Sequence, residues 1–272
     1  MSRFSLKRLS VSSLVARTAG ILGIVFLLIP TVIVVPISLG PDRYLRFPPR
    51  GFTLEWYNKL LGDQAWLQPM LFSAKIAVMV ALIAMVLGTM VALAVTRGRL
   101  PAKKAVTMVM LAPIIAPGIV VGVAMYLMFS QMGMSGSITA FVLAHTVLAV
   151  PYVIITVSAA LATSDADLEL AAMSLGASRF NAFRYVTLPL IMPGLIAGGV
   201  FAFIVSFDEP VVSFFLSSVH DKTLPRKIFE DLEFNVSPVV AAVSTILTFG
   251  SIGLLGLVAV LRRGLSRGGS AA

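Results

Sequence analysis

Cysteine is absent from the 272 residues, which excludes disulfides and thiolate metal ligands. Charge is scarce: 12% of residues are Asp, Glu, Lys or Arg, against about 25% in soluble domains. No Gly-x-x-x-x-Gly-Lys-Ser/Thr phosphate loop occurs, so nucleotide chemistry would have to come from another chain. No small-x-small cleavage site follows the first apolar run, which is too long for a signal core, so a retained first membrane helix is expected. No internal repeat stands out. What remains is apolar: 58% of residues are hydrophobic and the mean hydropathy is +0.98.

A helix needs about 20 apolar residues to cross the hydrocarbon. Six runs qualify, at 20–39, 72–96, 105–130, 137–160, 193–218 and 238–261. All contain glycine or proline, which membrane helices tolerate where neighbours satisfy the backbone. The expectation is an all-α polytopic membrane protein with six transmembrane helices. Its domains divide as a basic N-terminus at 1–18, a six-helix unit at 19–261 with a polar loop at 161–192, and a tail at 262–272 whose GLSRGGSAA end is expected to be disordered.

The net charge of +9 invites a nucleic-acid reading, but the distribution speaks for a lipid bilayer. With both termini inside, the inner segments carry 13 Lys and Arg and the outer segments seven. That asymmetry follows the positive-inside rule and places the basic excess against an anionic inner leaflet. Nucleic acid is not expected as a partner.

The long outer segment 40–71 leads through TLEWYNKLL, expected to form a short amphipathic helix. Its Trp56, Tyr57 and Trp66 suit an interfacial aromatic belt. The segment 219–237 is expected to be a structured outer loop. Gly118 and Gly122 form a small-x-x-x-small pair suited to close helix packing within the chain. Pro113, Pro117 and Pro151 mark kinks or irregular helices that line a pathway. His145 is read as a packing or hydrogen-bonding residue, and His220 needs no special role. The 13 methionines are read as lipid-facing or packing.

The polar segment DLELAAMSLGASRFNAFRYVTLP at 167–189 lies between apolar runs. Ser164 and Asp167 have capping-box spacing for a short helix. Gly176 sits where a helix ends in a left-handed residue. Ser178 then caps a second short helix, stopped by Pro189. Leu168, Ala171, Ala172 and Leu175 share one face of the first helix. Two alanines on that face leave room for another backbone.

The spacing Ala171-Ala172-x-x-x-Gly176-x(9)-Val186-x-Leu188-Pro189 resembles the EAA loop of ABC importer permeases. GFTLEWYNKLL, PMLFSAKIA, APIIAPGIVVGVA and AHTVLAVPYVIITVSAAL are similar to the same superfamily. SFDEPVVSFFLSS and TLPRKIFEDLEFNVSPVVAAVSTIL most resemble the second permease subunit of spermidine/putrescine importers. The resemblance implies a type I importer (MetI-like) fold in a bacterial inner membrane with both termini cytoplasmic. It implies an ATPase dimer docked on Leu168, Glu169, Ala171, Ala172, Leu175, Gly176, Leu188 and Pro189, a second permease as heterodimer partner, and a periplasmic solute-binding protein. No cofactor would be held by this chain, ATP and magnesium residing on the ATPase. No catalytic or metal-binding residue is expected. The family's glutamate position falls on Leu170; Glu169 stands one residue earlier, rotated by about 100°.

Asp208 and Glu209 are the acidic residues inside the six runs, and Pro210 follows them. A carboxylate at a helix centre costs about 2.5–3.5 kcal/mol on insertion scales, so it faces a partner or an aqueous path. Two readings remain open: a pathway contact for a cationic amine, or a gating or packing pair bonded to Ser206 or to the second permease. For the chain as a whole the readings are a polyamine importer permease, an importer permease for amino-acid-like solutes or opines, an ion-coupled transporter, and an assembly protein that only docks.

Overall fold

The computed structural model describes residues 11–218, 221–234 and 237–268, with side chains from residue 15 to residue 260. Arg3, Lys7, Arg8, His220 and the last residues of the basic tail lie outside the described residues. Among the described residues every regular element is helical. Two units are distinguished: residues 1–62 with 234–249, and residues 63–233 with 250–272.

The first unit holds α1 (Val11–Ser38) and α2 (Glu55–Gly62). α1 begins before the expected start near residue 20 and leaves its apolar side chains exposed, Phe26 and Leu27 among them, as a lipid-facing span does. Trp56 is buried and donates its indole N–H to Gly40 O at 2.7 Å. The Tyr57 hydroxyl lies 2.6 Å from Ser38 Oγ.

The second unit contains α3 (Gln64–Thr96), α4 (Lys103–Ile115), α5 (Gly118–Gln131), α6 (Ile138–Thr163), α7 (Asp167–Ser174), α8 (Arg179–Ala182), α9 (Leu188–Phe207), α10 (Val211–Leu216) and α11 (Leu224–Phe234). The last helix, α12 (Val239–Gly268), begins in the first unit and ends in the second. α3 starts in the expected outer loop because Asp63 accepts from Ala65 N at 2.9 Å and caps it. It thereby buries Trp66, over whose ring Lys227 places its ammonium at 5.1 Å. The expected lipid-interface belt is thus corrected: two of its three members, Trp56 and Trp66, are buried, because an indole can satisfy its N–H or hold a cation there.

Among the described residues, five helices are long and apolar enough to cross a membrane. The third expected span is instead bent by 99° between α4 and α5. Ala116, which precedes a proline, is extended at ψ 137°, as the clash with the proline ring favours. Pro117 has no N–H to continue the helix, and bonding restarts with Val120 N and Val121 N donating to Pro117 O.

The core is the trio α3, α6 and α9. Ile76, Val80, Ala84, Phe141, Val153, Val157, Ile191 and Ala202 are buried there as one cluster. Close approach depends on small residues. A Cβ at Gly194 would lie 2.7 Å from Thr156 O and from Ala160 Cβ, so α9 rests on the α6 backbone. Gly122 serves α5 similarly: a Cβ there would lie 2.8 Å from Phe215 Cδ2 of α10. The expected packing within the chain is therefore present at Gly122, whereas a Cβ at Gly118 would meet Val211 only at an ordinary 3.8 Å.

Candidate functional site

The polar segment after α6 forms two short helices, but not with the expected capping. Ser164 ends α6 rather than starting α7; its hydroxyl donates to Leu161 O at 3.0 Å and accepts from Arg97 Nη2 at 2.8 Å. Asp165 Oδ1 instead accepts from Asp167 N at 2.9 Å, and α7 begins after Ala166 without a side-chain cap. A distant guanidinium competes for Ser164, so the capping box does not form.

The turn is as expected. Gly176 has φ +97°, Gly176 N bonds Met173 O and Ala177 N bonds Ala172 O, both at 3.0 Å. This is a Schellman closure, which needs a left-handed residue at that position. Ser178 Oγ then accepts from Asn181 N at 3.2 Å and caps α8. Pro189 does not stop the second helix, a further correction. A π-helical turn at Phe183–Thr187 joins α8 to α9, with Leu188 N donating to Phe183 O. The wider turn shifts bonding by one residue ahead of a proline that lacks a donor.

The loop presents an apolar surface. Leu175 is 90% exposed and Leu168 48%; Ala171, Gly176 and Pro189 are exposed, and Ala172 and Leu188 are half-buried. Leu170, Phe180 and Tyr185 are exposed beside them. Sequence reasoning missed these three, although large apolar side chains in an otherwise polar loop were the available signal.

Glu169 points elsewhere. Its Oε2 lies 2.5 Å from Arg97 Nη1 and accepts from Thr187 Oγ1 at 2.7 Å. Arg97 and Glu169 side chains are 20% and 26% exposed, and Thr187 is buried. Hydrogen bonds to charged groups contribute about 1.5–3 kcal/mol net, whereas an exposed ion pair gives about 0–1 kcal/mol. Partial burial puts this cluster between those limits. In sequence Arg97 is one of the basic residues of the inner segments, and nothing local links it to a residue 72 positions away.

A second polar locus lies at the end of α9. Asp208 N bonds Ile204 O and Pro210 supplies no N–H, so the helix breaks and restarts at Val211. Glu209 closes the break: Oε1 accepts from Val211 N and Oε2 from Ser213 N, both at 3.0 Å. Asp208 is exposed, and its carboxylate makes no hydrogen bond to the described residues. Ser206 does not bond either carboxylate. It meets His145 Nδ1 through Oγ at 3.0 Å, while His145 Nε2 lies 3.3 Å from Ser213 Oγ. The buried imidazole thus bridges α9 and α10, the hydrogen-bonding role expected of it.

Residues 84–267 match the family model described as "Binding-protein-dependent transport system inner membrane component". The chain is 33% identical over 238 residues to the spermidine/putrescine transport system permease protein PotC of Haemophilus influenzae, covering 88% of this chain and 92% of that one. It is 31% identical over 247 residues to the putrescine transport system permease protein PotI of Escherichia coli K12, covering 88% and 87%. In fold it is similar to a chain in the crystal structure of a bacterial alginate ABC transporter in complex with an alginate pentasaccharide-bound periplasmic protein. There the TM-score is 0.67 at 15% identity, over 95% of this chain and 96% of that one. Helices long and apolar enough to cross a membrane and a match over most of the chain lead to one assignment. This protein belongs to the family of inner-membrane components of binding-protein-dependent transport systems.

Proposed function

We propose that the chain is one permease subunit of an ATP-driven importer for polyamines or a related organic amine. It forms half of the translocation path, a second permease forms the other half, a periplasmic binding protein delivers the solute, and an ATPase dimer docks on the α7–α8 loop. The single observation that carries the docking reading is the exposed apolar face of α7, Leu168 and Leu175 above all. Small Ala171 and Ala172 between them let a partner backbone approach. The loop is polar enough to lie outside the hydrocarbon, and the excess of basic residues on its side supports a cytoplasmic position.

The solute class rests on the polyamine relatives and on Asp208. Its carboxylate is exposed at a helix break, free of hydrogen bonds to the described residues, and suited to a cationic amine. Glu209 is engaged by backbone donors and holds the break.

The test is putrescine uptake into proteoliposomes holding both permeases, the ATPase and the binding protein. Uptake should require ATP inside and persist when ion gradients are collapsed. Uptake driven by an ion gradient without ATP would overturn the reading. Orientation is checked by thiol labelling from outside: Arg46→Cys and Lys222→Cys should react, and Lys103→Cys should not.

A further inference from the structure

The exposed face of α7 is available to a partner, yet α7 has no buried residue of its own. Its position against the helix bundle must therefore be held from elsewhere. The strongest side-chain attachment runs through Glu169 to a single guanidinium. Arg97 stands at the C-cap of α3, where its own N–H bonds Leu93 O at 2.9 Å. Nη1 reaches Glu169 of α7 and Nη2 reaches Ser164 at the end of α6. Thr187 closes the group, donating to the same Glu169 oxygen from the turn that leads into α9. One cluster therefore joins the docking helix to the ends of α3, α6 and α9, which are the three helices of the core.

We propose that Arg97 is the positioning residue that makes the docking loop move as one body with the transmembrane core, by bracing Glu169, Ser164 and Thr187 together. The inference rests on the reading of the α7–α8 loop as the ATPase's docking surface and names what lies behind that surface. A displacement of α7 by a docked subunit reaches the core helices through this brace, because the backbone links on either side are a short connection and a glycine turn. Arginine is required for its shape as well as its charge: two nitrogens of a planar fork bind acceptors on two different elements. A lysine supplies one point charge and cannot span both. Loss of the brace should leave the exposed docking face in place while ATP binding no longer moves the helices.

The native chain lacks cysteine, so one thiol reports on motion. The experiment uses the complete importer in proteoliposomes, with Ser218→Cys, an exposed position just beyond α10, as the parent, and follows thiol labelling there with and without ATP. ATPase retention and hydrolysis are measured on the same samples. A coupled system should change its labelling rate about fivefold or more on adding ATP. With Arg97→Gln added, the ATPase should stay bound and hydrolyse ATP while the ATP-dependent ratio falls to about one. Arg97→Lys should lie between. Should Arg97→Gln fail to accumulate, Thr187→Val carries the same expectation at smaller size. An unchanged ratio in Arg97→Gln, or in Thr187→Val when that variant stands in, overturns the proposal. So does loss of the ATPase with Arg97→Gln, since the cluster would then shape the docking face itself. A parent that neither retains an ATPase nor responds to ATP overturns the docking reading instead, whatever residue occupies position 97.

Discussion

Arg97 and Glu169 meet at 2.5 Å although 72 positions separate them in the chain. The carboxylate that sits next to the expected docking face thus points back into the bundle. Its displacement by one residue from the family's glutamate position has this physical consequence: a rotation of about 100° turns a side chain from one helix face to another. On the proposed reading, docking and bracing fall to different residues of one short segment, with Leu168, Ala171 and Leu175 exposed, Ala172 half-buried between them and Glu169 toward the core.

Replacing Gly176 tests the turn. Its φ of +97° costs an L-residue roughly 1–2 kcal/mol, and a β-branched side chain more. Nothing lies within 4 Å of a Cβ there, so backbone strain and not a clash is the expected effect. Gly176→Val should insert in the membrane at normal levels and lose most ATP-driven uptake, and Gly176→Asn should retain more than Gly176→Val. Equal uptake by both variants and the native chain would show that the turn geometry is immaterial.

Asp208 and Glu209 should separate by type of defect. Glu209→Gln weakens a carboxylate that accepts two backbone bonds, so the purified complex should melt earlier. Loss of about 1–2 kcal/mol is expected, in the range for a charged hydrogen bond made neutral. Asp208→Asn should melt normally and lose putrescine uptake while basal ATP hydrolysis continues. Melting curves and uptake assays on the same preparations decide between this division and its reverse.

Gly194→Val tests the contact between α6 and α9. The new side chain would begin 2.7 Å from Thr156 O, a backbone atom that cannot rotate away. Overpacking of this kind costs about 1–3 kcal/mol. The variant should melt several degrees earlier and accumulate less, whereas Gly253→Val, with open space at its Cβ, should behave as the native chain.

The parts legible in sequence were those governed by local chemistry. The left-handed glycine after α7 and the serine cap of α8 follow from short-range spacing. The positions of the long helices follow from the apolar runs, although α1 and α3 begin earlier and the third run is split between α4 and α5. Two of the differences have one cause, a group elsewhere in the chain that takes a residue local rules had assigned; the third is a local change of helix type. Ser164 was read as a cap, but Arg97 claims its hydroxyl. Pro189 was read as a stop, but a π turn carries the helix past it. Trp56 was placed at a lipid interface, but Gly40 O accepts its indole proton. The packing role of Gly194 was invisible because glycines are common in membrane helices, and only the neighbouring backbone distinguishes a contact from an ordinary position.

The Lys222–Glu230 pair predicts a pH effect in the segment before α12. Lys222 Nζ lies 2.9 Å from Glu230 Oε2, and this hydrogen bond holds the Glu230 carboxyl below its ordinary value of 4.5. A depressed carboxyl contributes stability that is present above its unfolded value and lost as pH falls through the folded value. Hydrogen exchange in α11 should therefore be unchanged from pH 8 to about pH 5, compared as protection factors, and rise below about pH 4. Lys222→Met should remove that acid step; an acid step of the same size in Lys222→Met would contradict the assignment.

The most direct measurement is site-specific photocrosslinking from the docking face. A benzophenone side chain at Leu175, the exposed C-cap residue of α7, is activated in membranes that contain the assembled importer. The expected product is a covalent adduct between this chain and the ATPase subunit, abolished by Ala172→Trp, which fills the same face. A transport-competent complex in which Leu175 crosslinks only to lipid, or to no protein, would contradict the assignment of this loop as the ATPase's docking surface.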